Sequence, residues 1–260
     1  MKNLNKLPAL TISFWIMKIC ATTLGETAGD LLSITMNIGY AVSSIILLSF
    51  FLGTLLVQLL SKKYNPVIYW AVILSTSTAG TTMSDYMDRT LGLGYGTGSF
   101  ILLSLLSITL IIWKAIEKSL SVTEIKSTRG EIFYWTAILF SNTLGTALGD
   151  FLADNSGLGF SGGAILIGCL LLIIILAYFF TKISHIILFW LAFVLTRPFG
   201  ATFGDLLTKS NEKGGLNFGT IGSSLILLGI LVVLVIVSVL KTNSRSTNND
   251  DNSAIVENNL

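Results

Sequence analysis

Apolar residues run in long blocks along this chain, and the polar residues that interrupt them fall at regular positions. A membrane-spanning helix needs about 20 mostly apolar residues. Eight blocks meet that length: roughly 9–31, 39–60, 66–87, 97–116, 131–152, 162–181, 184–207 and 218–240. The pattern predicts an all-α polytopic bundle of about eight transmembrane helices. Most connections are short, which makes consecutive helices antiparallel neighbours. The exception is the charged link 117–130, which divides the chain into a first half, 1–116, and a second half, 131–240. Residues 241–260 are rich in Asn, Ser and Asp and predict a disordered tail. The opening run Leu7–Leu32 is too long for a signal-peptide core and carries Lys18, Glu26 and Asp30, so it is read as the first span.

The polar interruptions repeat. Four tryptophans, Trp15, Trp70, Trp135 and Trp190, are each followed fifteen residues later by an aspartate: Asp30, Asp85, Asp150 and Asp205. The segments ending on those aspartates read TLGETAGD, TAGTTMSD, TLGTALGD and PFGATFGD. A second motif follows each: NIGYA, GLGYG, GLGFS and GLNFG. The chain is therefore four copies of one two-helix unit. All motif helices are odd-numbered and point the same way, so the repeats are parallel, related by an axis along the membrane normal. Within each motif, glycine and a glycine or serine four residues later form a small-xxx-small stripe that lets membrane helices approach closely.

Composition and charge narrow the class. Hydrophobic residues make up 52% of the chain and charged ones only 12%, about half the usual charged share of a soluble domain. The net charge of +2 and the lack of a dense basic cluster give no footprint for nucleic acid. Eleven Lys and Arg residues fall on the side of the termini and three, Arg89, Lys209 and Lys213, on the other. The positive-inside rule then places both termini in the cytosol, in a cell inner (cytoplasmic) membrane. The lipid bilayer is the expected partner, with a small cation or solute as ligand.

The candidate chemistry is acidic. Carboxylates within spans are costly and usually face an interior or a water-filled path. Asp30, Asp85, Asp150 and Asp205 would form a ring, and a metal site, if the odd helices surround the axis. Otherwise each simply ends its helix at the outer interface. Glu26, one turn before Asp30 on the same face, is unmatched in the other repeats, where Thr81, Thr146 and Ala201 stand. Lys18 and Arg197 are its candidate charge partners. Thr27, Thr82 and Thr202, with Thr22, Thr143, Thr146, Asn37 and Asn142 around them, add oxygen donors that suit a hard cation such as magnesium, calcium or manganese. Asp88 and Asp154 read as solvated loop acids at the outer face. Cys20 and Cys169 lie in apolar runs, and His185 in a turn, so neither a thiolate site nor a disulfide framework is expected. No phosphate loop, nucleophile elbow or HExxH is present. No enzyme activity and no cofactor are expected.

The fourfold TxGxxxGD pattern with its GLG(Y/F) follow-up resembles an uncharacterised family of bacterial multi-pass membrane proteins over residues 10–240. That resemblance implies a fold and a membrane location but no activity. GETAGD (25–30) is similar to the Glu-x-Gly-Asp motif of the calcium/manganese cation antiporters, in which acidic residues bind the cation. Here one extra residue separates Glu26 from Asp30, and only the first repeat keeps the Glu. The sequence thus points first to a transporter of a small, divalent cation, with manganese foremost. Its rivals are a carrier or channel for an organic solute or proton, and a membrane scaffold.

Overall fold

The computed structural model describes residues 7–8, 10–122, 125 and 127–257, and of 243–257 the backbone alone. Of the basic residues counted for orientation, Lys2, Lys6 and Lys126 lie outside the described residues. Among the described residues eight long helices follow one another: α1 (Ile12–Asp30), α2 (Tyr40–Leu60), α3 (Pro66–Asp85), α4 (Tyr95–Glu117), α5 (Thr128–Asp150), α6 (Gly159–Phe180), α7 (His185–Thr208) and α8 (Thr220–Glu257). Their starts carry local signals. Thr11 and Ser127 accept backbone N–H bonds at the heads of α1 and α5. Asn65 does the same for α3, where Pro66 takes the first position, the one place a helix tolerates a missing N–H without loss. α8 runs through the polar segment where composition predicts disorder, to Glu257. That segment contains no glycine or proline to stop it, and residues 258–260 lie outside the described residues.

The repeats close into a ring. α1 packs against α3 and α7, and α5 packs against the same two helices, so the four odd helices enclose a common axis. Each even helix lies outside and packs against the inner helix of the next repeat: α2 on α3, α4 on α5, α6 on α7 and α8 back on α1. Glycines set the spacing. Gly25 lies against Ser77, Gly80 against Asn142 and Thr143, Gly145 against Arg197, and Gly200 against Thr22, so the same close approach recurs at all four inner interfaces.

Among the described residues five helices, α2, α4, α6, α7 and α8 as far as Thr242, are long and apolar enough to cross a membrane. α1, α3 and α5 are of spanning length but too polar to qualify by composition. They bury Thr, Ser, Gly and Asp against one another, because their surroundings are protein. The outer helices show the reverse: in α2, α4, α6 and α8 less than a quarter of the apolar stretch is buried, against 56% in α7. Their exposed side chains, among them Ile45, Phe50, Ile111, Ile173 and Val233, form the kind of surface that lipid covers.

The connections repeat as well. After Asp30, Asp85 and Asp150 the helix widens by one residue per turn, closed by the N–H of Met36, Leu91 and Ser156 to the carbonyls of Leu31, Tyr86 and Phe151. The chain then reverses through a glycine at the head of each even helix, Gly39, Gly94, Gly159 and Gly219, all with φ between +65° and +83°, a region open to glycine at little cost. The fourth repeat lacks the widened turn and instead carries an inserted loop with a short helix at Asn211–Lys213.

Candidate functional site

Positions four apart share a helix face, so counting back from the aspartates by fours divides the ring into layers. Sixteen residues back stand Phe14, Tyr69, Tyr134 and Phe189. Each packs on the repeat tryptophan of the next inner helix: Phe14 on Trp70 (ring centroids 5.7 Å), Tyr69 on Trp135 (5.6 Å), Tyr134 on Trp190 (6.5 Å) and Phe189 on Trp15 (5.8 Å). This aromatic girdle closes one end of the ring. Above it lie Lys18, Ile73, Ile138 and Phe193, then Thr22, Ser77, Asn142 and Arg197, all fully buried.

The next layer holds Glu26, Thr81, Thr146 and Ala201. Arg197 reaches into it from one turn below: Nη1 donates to Glu26 Oε2 (3.0 Å), and Nη2 donates to Thr81 Oγ1 (2.5 Å) and Thr146 Oγ1 (2.8 Å). Both hydroxyls donate in turn to Glu26 Oε2, at 3.3 and 3.1 Å. Of the two candidate partners, Glu26 therefore takes Arg197. Lys18 stands two turns away, its Nζ 4.0 Å from the centre of the Phe193 ring.

The four aspartates occupy the outer layer, all buried, and are tied in pairs by two cations one turn further on. Arg89 donates from Nε to Asp85 Oδ1 (2.8 Å) and from Nη2 to Asp150 Oδ2 (2.9 Å), joining α3 to α5. Lys209 Nζ lies 2.5 Å from Asp30 Oδ2 and 3.1 Å from Asp205 Oδ1, joining α7 to α1. Burial works against charge on both cations. The carboxylates outweigh it and hold both well above their ordinary values. Glu26, Asp30 and Asp205 also bring carboxylate oxygens within 4.8 Å of one another.

Several expected members stand elsewhere. Thr27, Thr82 and Thr202 do not join the axis. Thr27 accepts from Ser224 of α8 (2.8 Å), Thr82 donates to its own helix at Ala79 O, and Thr202 donates to Pro198 O beside Gly163 of α6. One residue along a helix turns the side chain by about 100°, so the axial hydroxyls are Thr81 and Thr146 instead. Arg89 and Lys209, read as loop charges, are members of the site. Their four-residue spacing from Asp85 and Asp205 was the signal that could have found them. Asp154 is exposed and accepts from Tyr95 Oη (3.3 Å). His185 opens α7 with its ring 4.6 Å from that of Tyr178.

Asp88, expected in solvent, is buried. Ser84 donates to its Oδ2 (3.3 Å), and its Oδ1 lies against Gly98 of α4. Burial pushes its carboxyl up to about 6, against the pull of the Ser84 hydroxyl and of Arg89. The folded protein then holds this proton up to about pH 6, whereas an unfolded aspartate loses it near pH 4. Stability contributed by Asp88 is accordingly lost as pH rises through that window. Asp88→Asn is expected to flatten the pH dependence of the melting temperature between about pH 4 and pH 7. Parallel curves for variant and wild type would count against this burial.

Eight long helices in four matched pairs, five of them of membrane-crossing character, define a repeat-built membrane protein of the multi-pass kind. The chain belongs to the family described as Repeat of Unknown Function (DUF347), whose model matches it four times, at residues 13–64, 68–119, 133–184 and 188–243. No curated protein and no solved structure matches the chain significantly.

Proposed function

We propose that the chain crosses a cytoplasmic membrane eight times, with both termini in the cytosol, and carries a small cation, a divalent one such as manganese, through the axis of the inner ring. Glu26, Asp30 and Asp205 form the core of the site, with Asp85 and Asp150 beside them. The observation that carries this reading is the close approach of three buried carboxylates from α1 and α7. Charge supports it. The two outer layers hold five carboxylates, and three cationic side chains, Arg197, Arg89 and Lys209, meet them. Fully ionised, five against three leaves two negative charges for a ligand to balance. The oxygen-only donor set suits a hard cation, and the likeness of GETAGD to an antiporter motif points the same way. The reading contains no catalytic step.

The test is thermal stability of the detergent-purified protein against manganese, magnesium, calcium and a panel of organic amines. A ligand that binds only the folded state adds about 2.7 kcal/mol at a hundred times its dissociation constant. Asp30→Asn and Asp205→Asn are expected to abolish the manganese shift. Stabilisation by an amine alone would favour an organic cation, whose ammonium Lys209 already imitates between two carboxylates. A scaffold is the second reading, favoured by the fact that all four aspartates are tied across helix interfaces. In that case each Asp→Asn variant loses the same stability with and without cations.

A further inference from the structure

Lys18 is the group along the axis that the proposed site leaves unused. Its side chain is fully buried, and Nζ has no hydrogen-bond partner. The other three repeats put Ile73, Ile138 and Phe193 at its level, so the ring does not require a cation there. Around it, α7 presents Phe193 and Arg197, α3 presents Ile73 with Ser77 above and Tyr69 below, and α5 presents Ile138 and Asn142. α8 carries no ionisable residue between Thr220 and Leu240. On its own helix the nearest acid is Glu26, two turns outward. The layer between them has unused hydrogen-bonding capacity: Ser77 Oγ, Asn142 Oδ1 and Arg197 Nε are buried without partners.

Building on the cation reading above, we propose that Lys18 is the proton-coupling residue of this carrier. An ammonium at Lys18 is sustained by the negative excess of the outer layers, since it has no partner of its own. A divalent cation bound at Glu26, Asp30 and Asp205 cancels that excess, leaving Lys18 and Arg197 as neighbouring like charges in a low-dielectric interior. The proton then leaves. One Nζ–H bond breaks, its electron pair stays on nitrogen, and the proton is taken up by water, with the unpartnered Ser77 hydroxyl able to accept it and hand it on. Bound cation with neutral Lys18, and empty site with charged Lys18, are the two states. Their mutual exclusion is what makes the exchange of a cation for a proton obligatory. The aromatic girdle keeps the other end of the axis shut meanwhile.

Metal binding to protonatable ligands releases protons that can be counted. Purified full-length protein in weak buffer is titrated with manganese(II) chloride. A pH indicator reports proton release, and thermal shift on the same samples reports binding. Lys18→Met and Lys18→Arg are compared with wild type. Arginine keeps the positive charge but does not give up its proton, so a structural lysine would be rescued by it and a coupling lysine would not. Lys18→Met is expected to keep the manganese shift and to release about one proton fewer per ion bound, whereas Lys18→Arg, whose charge stays in place, is expected to lose most of the shift; a full shift in Lys18→Arg overturns the coupling role. Equal release from wild type and both variants, with binding retained, overturns the role of Lys18 and leaves the cation site standing. Absence of any manganese shift in wild type overturns the cation site and this inference together.

Discussion

Arg197→Met is expected to be among the most damaging single substitutions in the chain. It strands the Glu26 carboxylate, 3% exposed, with only the Thr81 and Thr146 hydroxyls to face it. It also removes the bonds that tie α7 to α1, α3 and α5 at one point. Breaking one side of a buried ion pair costs about 3–5 kcal/mol, most of it from the uncompensated charge left behind. Glu26→Gln placed in the Arg197→Met background is therefore expected to recover most of that loss, because a neutral amide needs no counter-charge. Unfolding of the purified single and double variants in mild detergent measures both quantities. A double variant as unstable as Arg197→Met alone would show that lost packing around Arg197, and not stranded charge, dominates.

Gly145→Ala is expected to lose stability on a different account. A β-carbon there would stand 2.2 Å from Arg197 Cγ, 2.5 Å from Arg197 Cβ and 3.0 Å from its carbonyl carbon. The side chain cannot swing aside without giving up Glu26, and the backbone carbon moves only if α5 and α7 part. Overpacking of this kind costs about 1–3 kcal/mol, and the fourfold ring transmits it, since parting one interface strains the other three. Gly53→Ala is the control. Gly53 lies in α2 with nothing within 4 Å of the added carbon, and replacing a mid-helix glycine there is expected to gain up to about 1 kcal/mol. Equal melting temperatures for the two variants would mean the close approach of α5 and α7 is not tight.

Helix composition misleads in one informative way. By hydropathy the least membrane-like helices are α1, α3 and α5, yet these are the most enclosed. A helix ringed by other helices has no need of apolar side chains on every face, and close packing of glycine against serine or threonine replaces oily surface. Hydropathy measures preference for lipid, so it finds the outer helices best and the inner ones worst.

The sequence by itself determined the fourfold repeat, the helical class, the level of the four aspartates and the isolation of Glu26. These are facts about register along one chain, and a helix of fixed pitch converts register directly into depth and face. Only the tertiary structure decided who meets whom across the axis. It paired Glu26 with Arg197 and not with Lys18. It put Thr81 and Thr146, not Thr27, Thr82 and Thr202, into the site, and it brought Arg89 and Lys209 back onto the aspartates. It also set Asp88 inside and Asp154 outside, though both follow their aspartates by three or four residues. The reason is geometric. Spacing of four tells which side chains share a face, but the partner opposite depends on how the helices close on one another. Here closure joins α7 to α1, across 171 residues between Arg197 and Glu26, a relation that no local pattern records.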